Sequence, residues 1–169
     1  MKPIKSFLKN ANRSLKKILA GICAAVFSAL TLIVLWGVVT RYLLGQQAVF
    51  TDEFARMLLI ILTFFGGALA FADGAHIGLS FLADKFAPSA RAAAGLAAIG
   101  LSLIFSILIM TLGGAMLVCS SVQSGNELAS APISLWQIYL CVPASGIFAS
   151  MFLLEAFFDA LSGGKKEGR

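Results

Sequence analysis

The chain has 169 residues, of which 59% are hydrophobic and only 12% charged, with a formal net charge of +5. A soluble domain carries about 25% charged residues, so this composition excludes an ordinary water-soluble globule. The basic residues gather at the ends of apolar runs instead of spreading over one face, which argues against a nucleic-acid surface.

Residues 1–17 are basic and amphipathic. Ile4, Phe7, Leu8, Ala11 and Leu15 recur at steps of three and four, with Lys2, Lys5, Lys9, Arg13 and Lys16 between them. That spacing predicts a helix lying on the membrane surface before it turns into the first span, with Lys5, Lys9, Arg13, Lys16 and Lys17 at the lipid headgroups. A frayed tail held loosely by anionic lipid is the alternative. A cleaved secretory signal is disfavoured, because the apolar run that follows exceeds about 7–15 residues and lacks a clean small-residue cleavage site.

A helix needs about 20 apolar residues to cross about 30 Å of hydrocarbon. The first charge-free run covers residues 18–40. The second begins at Met57 and is interrupted at Asp73, with Arg56 able to snorkel its head to the interface. The third and fourth occupy 92–126 and 128–154. Together they predict spans at about 18–41, 54–73, 92–121 and 135–158 within a four-helix transmembrane domain over 18–161, followed by a basic tail at 162–169. Gly45-Gln46-Gln47 and Ser124-Gly125-Asn126 close the first and third spans, while Pro88-Ser89 and Pro132-Ile133-Ser134 open the third and fourth. Residues 90–100 are rich in Ala and Gly, which suits close helix packing in lipid.

With four spans, both termini and the 73–91 loop share one side, and that side holds eleven of the thirteen Lys and Arg residues. Only Arg41 and Arg56 fall opposite. The positive-inside bias therefore places both termini in the cytoplasm. The fold expected is an all-α integral membrane protein of four transmembrane helices plus an N-terminal amphipathic interfacial helix.

Chemistry is sparse. Cys23, Cys119 and Cys141 fall inside spans without metal-ligand spacing, so no disulfide, metal or cofactor is assigned. No nucleophile elbow, zinc motif or phosphate-binding loop is present, and the Asp73–His76 pair has nothing nearby to complete a catalytic site. The middles of the spans are uncharged, whereas coupled carriers need ionisable groups there. Hydroxyls such as Ser28, Thr31, Thr63, Ser106 and Thr111 are expected to bond back to their own helices. Glu155 and Asp159 stand where solvated carboxylates normally end up. The chain reads as a membrane scaffold awaiting a partner.

The stretch from Arg41 to His76 concentrates the remaining charge. Asp52 and Glu53 stand four and three residues ahead of Arg56, so on a helix all three share a face, with the acids in the favourable first-turn position. A solvated helix start explains them; so does a docking surface formed with Arg41. Asp73, Gly74 and His76 mark the other end of the second span, where His76 is free to bond a backbone carbonyl or a partner's carboxylate.

Arg41-Tyr42, an aromatic with Asp52-Glu53-x-x-Arg56, Gly66-Gly67-Ala68, His76, and a Pro132 loop followed by Tyr139 and Pro143 occur in an order that resembles the small membrane subunit (Q subunit) of tripartite ATP-independent periplasmic (TRAP) transporters. The likeness covers nearly the whole chain. Phe50 stands where that family carries a tryptophan, keeping the aromatic but losing the indole N–H. The resemblance implies a small permease subunit of the bacterial inner membrane, a scaffold that is not an enzyme. It would pair with a large elevator-type permease subunit for sodium-coupled uptake of an organic anion, such as sialic acid or a C4-dicarboxylate, delivered by a periplasmic binding protein. Arg41, Tyr42, Phe50, Asp52, Glu53, Arg56 and His76 are then the candidate partner-interface residues, and the outer loops are candidates for touching the binding protein. A self-associating small exporter or channel is the alternative, and a membrane-embedded enzyme a further one.

Overall fold

The computed structural model describes residues 2–43, 45, 49–73, 88–125, 127–128 and 133–161. In chain order these form α1 (Lys2–Leu43), α2 (Val49–Ala72), α3 (Pro88–Phe105), a π-helical segment (Ser106–Gly113), α4 (Gly114–Ser124), α5 (Leu135–Tyr139) and α6 (Cys141–Leu161). Among the described residues, four stretches are long and apolar enough to cross a membrane: Asn12–Leu43, Phe50–Ala72, Ala94–Ser124 and Leu135–Phe158. The third span thus joins α3, the π segment and α4, and the fourth joins α5 and α6.

The N-terminal segment is continuous with the first span. A turn is expected between residues 17 and 18, yet α1 runs unbroken through 42 residues, about 63 Å at 1.5 Å per residue. Pro3 sits in the first turn, where its missing N–H is harmless, and no glycine occurs before Gly21, so nothing local interrupts the helix. The remaining boundaries follow residue chemistry. Gly125 adopts φ +60° beyond α4 and donates to the Val122 carbonyl, the left-handed C-cap that glycine supplies without strain. Leu128 N–H donates to Ile133 at 3.1 Å, closing an antiparallel bridge between Glu127 and Ser134. The fourth span is interrupted at Leu140, and Pro143 falls in the first turn of α6, where a proline is tolerated.

Packing order differs from chain order. The first span packs on the second, the second on the fourth, and the fourth on the third; among the described residues the third span touches neither the first nor the second. The helices therefore form an open row, 1-2-4-3, and not a closed bundle. The fourth span is the most buried of them. Near the end that holds Asn12, Asp73 and Glu155 (the near end), Leu19, Ala68, Ala149 and Phe152 are buried together, with Leu15, Phe65, Leu69 and Phe148 packed around them. One core thus unites the first, second and fourth spans there.

The third span is seated on the fourth through its π-helical turn. Ser106, Met110 and Gly114 are all buried on this side. A Cβ on Gly114 would lie 2.9 Å from Pro143 N, and one on Gly146 would lie 2.6 Å from Thr111 Oγ1 and 2.9 Å from Thr111 N. The two backbones are in direct contact, which only glycine permits. Gly95 and Gly100 do not make this approach: nothing lies within 4 Å of a Cβ built on either.

Ser106 completes the contact. Its hydroxyl donates to the Gly146 carbonyl at 2.9 Å, while Thr111 bonds back to Ser106 O at 3.1 Å. Ser28, Thr31 and Thr63 bond to their own helices four residues back, as expected; Ser106 is the exception. Ser106→Ala should therefore lower stability by about 1 kcal/mol, read as a fall of a few degrees in the thermal midpoint of the detergent-purified chain.

Candidate partner interface

The far end of the row, where α1 stops and α2 starts, carries the charged residues that the sequence singles out. Leu43 ends α1, Gly45 takes φ +69°, and α2 begins at Val49. The helices part slightly here and leave a cleft of 130 Å³ with aliphatic walls from Ile33, Val34, Val38 and Ala55. Arg41, Thr51 and Asp52 supply its polar lining. Arg41 and Asp52 are thus brought together by two different helices, a convergence that their 11-residue separation leaves undetermined.

The other candidates lie around this cleft. Arg56 is exposed about two turns into α2, Glu53 is half-buried beside it, and Tyr42 is 84% exposed at the last turn of α1. Phe50 meets Phe54 edge-on at 6.3 Å, so the aromatic that stands in for tryptophan is held by its own helix. Asp52 in the first turn of α2 complements the helix dipole. His76 lies outside the described residues. The arrangement offers both signs of charge beside exposed aromatic and aliphatic surface, the chemistry of a polar anchor at a membrane boundary.

At the near end the structure makes pairings that residue spacing does not announce. Lys16, expected at the lipid headgroups, pairs with Asp73 at the end of α2. Asn12 is buried, and its Nδ2 donates to the Glu155 carboxylate and, at 3.4 Å, to the Met151 carbonyl of α6. Because both partners are acceptors, the amide orientation is fixed, with Oδ1 facing away. Oδ1 is buried without a partner among the described residues, at a cost of about 1–3 kcal/mol. Arg13 and Lys17 are exposed, whereas the side chains of Lys5 and Lys9 and all of 162–169 lie outside the described residues. Antiparallel neighbours put the start of the first span beside the ends of the second and fourth; that logic was the available signal for both pairings.

The two outer helices of the row expose large apolar side chains. Phe27, Leu32, Leu35 and Trp36 project from α1, and Leu101, Leu108, Ile109 and Met116 from the third span. Such surface belongs in lipid or against another membrane protein. The described residues contain no group of three or more His, Cys, Asp or Glu able to hold a metal ion.

Similarity to known proteins agrees with this architecture. Residues 30–163 match the family model described as tripartite ATP-independent periplasmic transporters, DctQ component. The chain is 27% identical over 160 residues to the sialic acid TRAP transporter small permease protein SiaQ of Vibrio cholerae, covering 91% of this chain and 87% of that one. It is also 27% identical over 120 residues to the C4-dicarboxylate TRAP transporter small permease protein DctQ of Rhodobacter capsulatus, covering 70% of this chain and 52% of that one. With the family model spanning most of its length and four apolar helices to match, the chain belongs to the DctQ family as a TRAP transporter small permease subunit, a multi-pass membrane component of a transport system.

Proposed function

We propose that this subunit is a fixed scaffold for a large TRAP permease subunit that carries the substrate and sodium sites and moves as an elevator. The observation that carries the reading is the open 1-2-4-3 row: its helix middles are uncharged, and its exposed surface among the described residues is largely apolar. A transporter's binding site needs ionisable groups or broken backbone lining a cavity, and those features belong to the partner. The partner docks on one broad face, with the cleft at Arg41 and Asp52, and Glu53 and Arg56 beside it, as the polar anchor.

The positive-inside bias supports an orientation with the near end and both termini in the cytoplasm of a bacterial inner membrane. The cleft then faces the periplasm, within reach of a soluble binding protein. Relatives named for sialic acid and C4-dicarboxylate support an organic anion of the carboxylate class as the substrate. The basic N-terminal part of α1 serves as the cytoplasmic-side contact with lipid headgroups.

Reconstitution tests this reading against a self-associating exporter or channel. Liposomes holding this chain alone should show no uptake of sialic acid or C4-dicarboxylates, with or without a sodium gradient. Adding the large subunit and the binding protein should give sodium-dependent uptake of one of them. Transport by the chain alone would refute the scaffold assignment.

A further inference from the structure

We propose that Asn12 and Lys16 form a register-setting clamp, and that the Asn12–Glu155 hydrogen bond is a positioning pair on which uptake depends. The two residues are four apart on α1, so they share one face of the helix. From that face they reach different partners: Lys16 takes Asp73 at the end of α2, and Asn12 takes Glu155 and the Met151 carbonyl on α6. The start of the first span is thereby tied to both of the spans beside it.

Apolar packing alone does not set how far one helix has slid along another. Leu15 and Leu19 pack against Phe65, Ala68, Phe148 and Phe152, but contacts of this kind tolerate small axial shifts. A directional bond does not. The first span meets the fourth only lightly, while it lies along the second for much of its length. Among the described residues, the Asn12 amide is the directional tie between the first and fourth helices.

The identity of the residue supports the same conclusion. Asn12 is 4% exposed, and its Oδ1 has no partner among the described residues. Apolar residues at both 12 and 155 would pack without an orphaned oxygen, so a buried asparagine is a poor choice if stability is all that matters. In coiled coils a single buried asparagine fixes the register of the helices, and Asn12 is placed to act in the same way. The inference rests on the scaffold reading: a frame against which another subunit moves must hold its helices in one register.

The test uses the assembled transporter in liposomes and variants that swap donor and acceptor. Asn12→Asp keeps the shape of the side chain but replaces the donor with a second carboxylate facing Glu155. Glu155→Gln added to it restores a hydrogen bond with its direction reversed. Nitroxide labels near residues 8 and 157 report the distance between the start of the first span and the end of the fourth. Asn12→Asp should broaden that distance distribution and cut uptake at least fivefold, and the double variant N12D/E155Q should narrow the distribution and recover at least half of the uptake. An unchanged distribution in Asn12→Asp would overturn the clamp. A broadened distribution with full uptake would overturn its role in transport. If Asn12→Asp fails to assemble, the double variant decides: assembly and uptake restored support the pair, and failure of both variants overturns it. Failure of the scaffold reading itself shows separately, as sodium-dependent uptake by the large subunit and binding protein without this chain.

Discussion

Gly146→Leu is expected to unseat the third span from the fourth, with a loss of more than about 3 kcal/mol and failure to recover a monodisperse protein from detergent. The reasoning starts from a single added carbon. A Cβ at position 146 would meet Thr111 Oγ1 at 2.6 Å, Met110 Cβ at 2.9 Å and the Thr111 backbone nitrogen at 2.9 Å. The hydroxyl is already committed to Ser106 O, and backbone does not move aside cheaply. For Gly146→Ala the helix gains about 1 kcal/mol in propensity but loses about 2–3 kcal/mol to overpacking, so the net change is destabilising by about 1–2 kcal/mol. Gly95→Ala supplies the contrast, since its Cβ meets nothing and only the propensity gain remains. Thermal unfolding of the three variants in one detergent checks the order: Gly95→Ala at or above the parent, Gly146→Ala below it, Gly146→Leu lowest. A Gly146→Ala variant as stable as the parent would show that the two backbones do not approach as described.

Inverting the far-end charges should break the complex without breaking the chain. Glu53→Lys combined with Arg56→Glu leaves opposite charges three residues apart on one helix, so any attraction within the pair survives while the face shown to a partner is reversed. The exposed side of this pair is worth about 0.5 kcal/mol to the helix, so the thermal midpoint should hardly change. Recovery of the large permease subunit on affinity purification should fall at least tenfold, a difference of about 1.4 kcal/mol in association, and uptake should fall with it. Full recovery and full uptake would rule these residues out as the anchor. Arg41→Glu, which reverses the charge on the α1 side of the cleft, should act in the same direction.

The spans were legible because lipid imposes a length and a composition on them. Hydropathy puts the second span at 54–73, whereas the helix spans Phe50–Ala72: Asp52 and Glu53 read as a boundary, although acidic residues are welcome near a helix's start. Lys16 and Lys17 put the start of the first span at residue 18, but Lys16 is held by Asp73 and the helix passes straight through. Local pattern has no way to report such pairings. Asn12 and Glu155 are 143 residues apart, and their meeting depends on the packing order of the helices, which hydropathy leaves open. The glycines make the same point: those at 95 and 100 sit in the stretch that reads as a packing face, yet Gly114 and Gly146 make the contact, because a π-helical turn that nothing in the residues announces brings them together.

The continuity of α1 makes it a lever. From Asn12 to Arg41 the helix runs about 43 Å with no break to absorb rotation, and its near end is held at two points. A tilt of about 5° about that pivot carries Arg41 sideways by about 4 Å, more than the reach of a hydrogen bond. The width of the far-end cleft is therefore set by the tilt of α1 against α2, and the two ties at the near end help to fix that tilt.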